Sequence, residues 1–189
     1  MKKEIITLAG SPGSGKSSTA RAVAAGLGFR HFSSGDIFRE LAAARGESIE
    51  AMNISAEAQR DIDLQVDNLL REKYRTEDKL VIDSRMAWHW MPGSFKVFLL
   101  LDAETAAERI FAHLQHGGRV SEDAATVQEV RRSIDRRFAS EQKRYAALYS
   151  VNPTDPLNFD VVFNTGHNDL PTITAMVTAA YSAWIGRSG

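Results

Sequence analysis

Gly10-Ser11-Pro12-Gly13-Ser14-Gly15-Lys16-Ser17 carries the spacing G-x-x-x-x-G-K-[ST], and each residue type in it suits a polyphosphate. Glycines at 10, 13 and 15 let the backbone turn tightly and aim its N–H groups inward at an anion. Lys16 can reach the β- and γ-phosphates of a nucleoside triphosphate, and the Ser17 hydroxyl can ligate Mg²⁺. The apolar run Ile5-Ile6-Thr7-Leu8-Ala9 ahead of the motif reads as a short buried strand. Ser18 to Leu27 behind it reads as a helix, whose N-terminus adds about half a positive charge at the same spot. A glycine-rich turn without a ligand is the plainer alternative. With all eight positions in register between a strand and a helix, the motif is read as a phosphate loop that binds a nucleoside triphosphate.

Two further groups of residues could act on a second anion. Lys79-Leu80-Val81-Ile82-Asp83 reads as a buried strand ending on an acid, with Arg85 two residues later. In open α/β sheets ligands bind at the carboxyl ends of the strands, so Asp83 could hold Mg²⁺ and Arg85 face another phosphate. Alternatively, Asp83 caps a turn. The second group is basic: Arg131, Arg132, Arg136, Arg137, Lys143 and Arg144 lie on one predicted helix against Asp135 and Glu141. Arg137 and Arg144 are seven apart and share a face within about 20°, with Glu141 between them. A solvated ladder of ion pairs would have this composition. So would a closing lid, because Gly117-Gly118-Arg119 directly upstream supplies a glycine hinge and an arginine of its own. Phosphoryl transfer asks mainly for positioning and cationic stabilisation, and a lid also keeps water from the γ-phosphate. Arg39, one turn inside a helix opened by Ser34-Gly35-Asp36, is a third basic candidate; it could equally be a surface arginine. The histidines show no metal-ligand spacing, so no metal beyond Mg²⁺ is expected. Trp88 and Trp90 could be core or could wall a base pocket.

The elements that must position these residues alternate. Strands are predicted over 29–32, 79–83, 95–102 and 159–164 besides the first. Helices are predicted from Ser33 or Ser34 (as N-cap) to about Arg45, over about Ser55–Tyr74, Ala103–Gln115, Ser121–Tyr149 and Leu170–Ile185. On the second of these, Ile62, Val66, Leu69 and Leu70 sit at helical spacing with Asp63 and Asp67 on a neighbouring face. Ser84–Gly93 reads as a loop. Strands alternating with helices indicate an α/β fold with a parallel sheet. The chain of 189 residues is long enough for a substantial core. A net charge of −1 offers no global field for nucleic acid or an anionic membrane, and the lack of cysteine excludes thiolate chemistry. No leader or membrane span is read in the sequence, so a cytoplasmic location is expected.

Taken together, the residues resemble the cytidylate kinases. Gly10–Ser17, Ser34-Gly35-Asp36-Ile37-Phe38-Arg39-Glu40-Leu41-Ala42, Ile62-Asp63 with Val66-Asp67, Asp83-Ser84-Arg85, and Arg137 with Ser140-Glu141 and Arg144-Tyr145 fall in that family's order and spacing. The likeness covers about residues 4 to 166 and is greatest to the short archaeal-type form. It implies a three-layer P-loop fold of nucleoside monophosphate kinase type: one domain over 1–189, a five-stranded parallel sheet, a monophosphate-binding region at about 34–75 and a small lid at about 116–137. It implies ATP- and Mg²⁺-dependent phosphorylation of CMP or dCMP by a monomer whose partners are small nucleotides.

The implied site residues follow by motif. Gly10 to Ser18 would bind ATP, and Asn164-Thr165-Gly166 would border its adenine. Asp36, Arg39, Asp63 and Arg85 would bind the acceptor, with Arg39 and Arg85 on its phosphate and Asp63 near its nucleoside. Lys16, Arg119, Arg137 and Arg144 would be catalytic, with Arg119 in the lid. Ser17 and Asp83 would serve the metal. No general base is needed, since the acceptor phosphate is already an anionic nucleophile. Two departures fall beside the acceptor pocket: Ser84 stands where the family usually has glycine, and Met86-Ala87-Trp88-His89-Trp90 lacks the acidic residue of bacterial forms. A shikimate- or adenylate-kinase-like enzyme for another small acceptor, and a nucleotide-dependent switch acting through a partner, are the competing readings.

Overall fold

The computed structural model describes residues 3–58, 61–115 and 126–186. Five strands, β1 (Ile5–Gly10), β2 (Arg30–Ser33), β3 (Leu80–Asp83), β4 (Phe95–Leu100) and β5 (Val161–Asn164), form one parallel sheet in the order β2-β3-β1-β4-β5. The helices are α1 (Lys16–Leu27), α2 (Ser34–Ala44), α3 (Ile49–Ala58), α4 (Asp61–Thr76), α5 (Ala87–Trp90), α6 (Ala103–Gln115), α7 (Val127–Tyr149) and α8 (Leu170–Gly186). A 3₁₀ turn, Pro156–Asn158, precedes β5.

β1 is buried along its whole length because both faces of the sheet are covered. Successive side chains point to opposite faces. Ile6 and Leu8 join Val23 of α1 and Val177 and Tyr181 of α8 on one side. Ile5, with Leu80 and Ile82, meets Leu70 of α4 and Ala87 and Met91 on the other. The result is three layers. The chain runs outward to β2, returns to β3 beside β1, then crosses to β4 on β1's other flank. The winding therefore reverses at β1, and the crevice beyond its carboxyl end is where such a sheet binds ligands.

The predicted strands and their parallel sheet hold, with ends shifted by a few residues. The helix expected over Ser55–Tyr74 is two helices. Gly46, at φ 68°, ends α2, and Ser48 Oγ then accepts from the Ala51 N–H at 3.1 Å to start α3 early. Met52 and Ala56 of α3 are buried against Ala42 and Ile62, and this tertiary contact sustains a helix that weak local spacing did not announce. The Ser84–Gly93 segment holds the single turn α5. α7 starts at Val127 rather than Ser121, because Thr126 and Glu129 form a reciprocal capping box; residues 121–125 lie outside the described ones. Among the described residues no helix is long and apolar enough to cross a membrane.

Candidate active site

The loop after β1 is locked to β4. Ser11 N–H donates to Leu99 O at 3.0 Å, and Ser11 Oγ accepts from Leu101 N–H at 3.3 Å. Gly10 passes so close to β4 that a Cβ there would lie 2.3 Å from Leu99 O, which excludes any other residue. Gly13, at φ 68°, turns against α6 with a Cβ position 3.1 Å from the Ala106 backbone. α1 begins at Lys16, so its unsatisfied N–H groups open beside the loop. Lys16 Nζ donates to Ser11 O at 3.3 Å, folding the side chain back over the loop. Desolvation, then Arg85 and Arg137 nearby, lower its pKa to about 8 against the partial support of Asp83. A lysine held this way gains strongly from an arriving phosphate.

Register brings the acid to this point. Asp83 ends β3 opposite Leu8 of β1 and Ser33 of β2. Its carboxylate accepts from the Ser17 hydroxyl and, at 3.5 Å, from the Ser33 hydroxyl. Ser33 is also the N-cap of α2, accepting from Asp36 N–H at 3.3 Å. Ser17 and Asp83 are two hard oxygen donors in contact at the phosphate end. Among the described residues no group of three or more His, Asp or Glu side chains is arranged to hold a metal. A two-donor set fits Mg²⁺, which takes most of its ligands from water and substrate phosphate.

Along α7 the inward face changes character. Val130 and Ile134 pack on Ala106 and Ala107 of α6, but two turns later the buried residues are Glu141 and Arg144. Glu141 accepts from Arg137 Nε at 3.2 Å and is ion-paired with Arg85. Burial and the nearby Arg137 lower the Arg85 pKa, yet a guanidinium keeps its charge in proteins. Arg144 Nε donates to Asp63 of α4 at 2.7 Å, with both side chains 5% exposed. Its other donors reach Ser140 Oγ at 2.7 Å and Asn53 O of α3 at 3.4 Å. Arg39 pairs with Asp36 near the surface, a contact worth about 0–1 kcal/mol and easily exchanged for a phosphate.

These side chains line one cleft of about 850 Å³, open solvent included. Lys16, Ser17, Arg39, Asp63, Asp83, Arg85, Arg137 and Arg144 all face it. Asp36 reaches it through Arg39. Asn164 ends β5 and Thr165 follows it at the same edge of the sheet, with Thr165 N–H on Leu100 O at 2.9 Å. Arg109 of α6 clamps the carbonyls of Thr165 and Gly166 at 2.9 and 3.2 Å. Arg119 lies outside the described residues, as does the 116–125 part of the lid expected over about 116–137; its remainder, from Val127, is the first half of α7.

Sequence reasoning missed Asn53, which required α3, and the inward aim of Asp67. Asp67 is 3% exposed and lines the cleft. Its carboxylate accepts from Trp90 Nε1 at 2.8 Å and from the Tyr149 hydroxyl. The i, i+4 spacing of Asp63 and Asp67 was the available signal. The two tryptophans divide: Trp88 is core, packed on Phe159 with Nε1 on Arg85 O at 2.8 Å, while Trp90 supports the cleft wall.

Residues 9–128 match the family model described as an AAA domain. A cytidylate kinase of Halorubrum lacusprofundi is 37% identical over 164 residues, covering 85% of this chain and 80% of the relative. A cytidylate kinase of Methanopyrus kandleri is 34% identical over 172 residues, covering 85% and 84%. The chain belongs to the cytidylate kinase family. The crystal structure of shikimate kinase from Bacteroides thetaiotaomicron superposes with a TM-score of 0.63 at 16% identity, covering 95% of this chain and 97% of that one. At that identity the likeness shows the shared fold alone.

Proposed function

We propose that this chain transfers the γ-phosphoryl group of ATP to CMP or dCMP, giving ADP and CDP or dCDP. The observation that carries the reading is the single cleft in which Lys16 and Ser17 face Arg39, Arg85 and Arg137. Such a set of cations provides for two phosphate-bearing ligands, where a protein that only bound ATP would need to hold one.

The loop amides and Lys16 hold the β- and γ-phosphates of the donor. Arg39 and Arg85 hold the acceptor phosphate, one released from Asp36 and the other steadied by Glu141. An acceptor phosphate oxygen attacks the γ-phosphorus, the bond to the β–γ bridging oxygen breaks, and ADP leaves with that electron pair. The nucleophile is already anionic, so no side chain need remove a proton. Arg137 lies where its charge serves both phosphates, and Arg144 adds charge from the wall while fixing Asp63 at the nucleoside end. Ser17 and Asp83 would hold Mg²⁺, which supplies neutralisation of the charge between the phosphates. Asn164 and Thr165 would border the adenine. Residues 34–75 form the acceptor-binding region and 116–137, with Arg119, the lid. On this reading the enzyme works as a cytoplasmic monomer on small nucleotides, and its net charge of −1 favours neither nucleic acid nor a membrane.

The test is ADP formation from ATP and Mg²⁺ with CMP, dCMP, UMP, AMP, GMP or shikimate, each against a blank without acceptor. Stimulation led by CMP or dCMP is expected. Stimulation led by shikimate would move the acceptor class, and stimulation by none of the panel would count against a kinase.

A further inference from the structure

The carboxylates around the cleft differ in what holds them. Asp63 is taken up by Arg144, Glu141 by Arg85 and Arg137, and Asp83 by the phosphate loop. Asp67 is held by two neutral donors instead, the indole N–H of Trp90 on Oδ1 and the hydroxyl of Tyr149 on Oδ2. Each carboxylate oxygen accepts about two hydrogen bonds, so one position on each oxygen is left for a ligand. The two donors, with Arg71 stacked over the Trp90 ring at 3.8 Å, fix the direction in which those positions point.

Asp67 also lies at the right end. Arg137 and Arg144 follow one another along α7, Arg144 meets Asp63, and Tyr149 beyond it meets Asp67, so Asp67 lies past Asp63 from the Arg85–Arg137 cluster. It is one turn along α4 from Asp63 and therefore on the same face. Burial, reinforced by Asp63, raises its pKa, and the donated hydrogen bonds only partly offset this. A buried carboxylate kept at such cost in a cleft is a candidate for function.

We propose that Asp67 reads the acceptor base: its carboxylate accepts a hydrogen bond from the exocyclic amine of an aminopyrimidine and rejects the carbonyl oxygen that uracil presents there. This rests on the reading of the cleft as a nucleoside monophosphate site. An acceptor-only group facing a carbonyl leaves both oxygens without a donor, and such mismatches discriminate more strongly than size does. Met86, two residues before Trp88, carries no charge that could do this from the neighbouring loop.

Asp67→Asn keeps the shape and the Trp90 bond to its oxygen, while its amide nitrogen donates to the Tyr149 oxygen and offers a second N–H on the ligand side. The ratio of kcat/KM for CMP to that for UMP is expected to fall by about 10²-fold or more, with KM for ATP unchanged. A merely structural Asp67 would lower stability or both rates together and leave the ratio alone. Tyr149→Phe removes one orienting donor, and a fall in the same ratio of about threefold to tenfold is expected; it decides the matter if Asp67→Asn does not fold by circular dichroism. A wild type that prefers CMP, with ratios in a folded variant within threefold of it, would overturn the role of Asp67 and leave the kinase reading standing. A wild type stimulated by neither CMP nor AMP, the amine-bearing acceptors, would overturn both.

Discussion

The two ends of the cleft are built by different means. The donor end is local: eight consecutive residues, one strand and one helix, with backbone N–H groups and glycines supplying most of the chemistry. The acceptor end is assembled from side chains far apart in sequence, Arg144 with Asp63 across 81 residues and Tyr149 with Asp67 across 82. On the proposed reading, donor recognition therefore rests on backbone shape and survives the loss of a side chain. On the same reading, acceptor recognition rests on buried charges that also tie α4 to α7, so that specificity and stability would share the same residues.

The largest expected effect breaks that sharing. Arg144→Ala leaves Asp63 buried without its cation, and removing one partner of a buried pair costs about 3–5 kcal/mol. Urea denaturation of the variant against wild type checks this. Replacing both partners together, Arg144→Met with Asp63→Leu, should recover most of the stability and none of the activity. Recovery of both would mean that the pair is purely structural. Lys16→Ala is the contrasting case at the donor end. It should lower kcat by about 10²-fold or more, since the lost contact strengthens toward the transition state. Its melting temperature should not fall, because a desolvated ammonium beside Arg85 and Arg137 is removed. Near-normal turnover would remove Lys16 from the mechanism.

Arg137→Ala sits between the two ends and should show it. Arg137 shares Glu141 with Arg85, so its loss both removes a charge and loosens a neighbour. We expect kcat to fall roughly tenfold to a hundredfold while ATP binding, measured by isothermal titration, changes by less than about threefold. An effect confined to ATP affinity would place Arg137 wholly on the donor side.

The same division governs what the sequence reveals. The phosphate loop, β1 and α1 were legible because their chemistry is written in adjacent residues and needs no partner. The sheet was legible from apolar runs ending in Asp83 and Asp102. The start of α3 was not, since Met52 and Ala56 have meaning only against Ala42 and Ile62. Asp67 reads in the sequence only as an acid on the face beside its helix's apolar stripe, and the donors that hold it, Trp90 and Tyr149, come from two other elements. The aromatic pair at 88 and 90 divides between core and cleft for the same reason: the single turn α5 sends Trp88 toward Phe159 and Trp90 toward α4. Spacing along one element locates a face, but only the packing of a second element says whether that face is wet.

The smallest expected effect sharpens the comparison by pH. The Lys16 pKa in the ligand-free protein is about 8, below the ordinary 10.5, because burial and two arginines disfavour the ammonium. Raising the pH through 8 therefore removes the proton from the folded protein well before it would leave an unfolded chain. The cost of holding that charge weighs fully on the fold below about pH 8 and disappears between 8 and 10.5. A phosphate ligand reverses the preference, so ATP must restore the proton when it binds above pH 8. Apparent ATP affinity should then be flat between pH 6.5 and 7.5 and weaken by about tenfold at pH 9, as one linked proton requires. Lys16→Arg, whose charge does not titrate in this range, should flatten the profile whatever it does to turnover. A wild-type profile that stays flat to pH 9 would mean that the lysine keeps its proton without the ligand, and that Asp83 and the Ser11 carbonyl offset the arginines opposite.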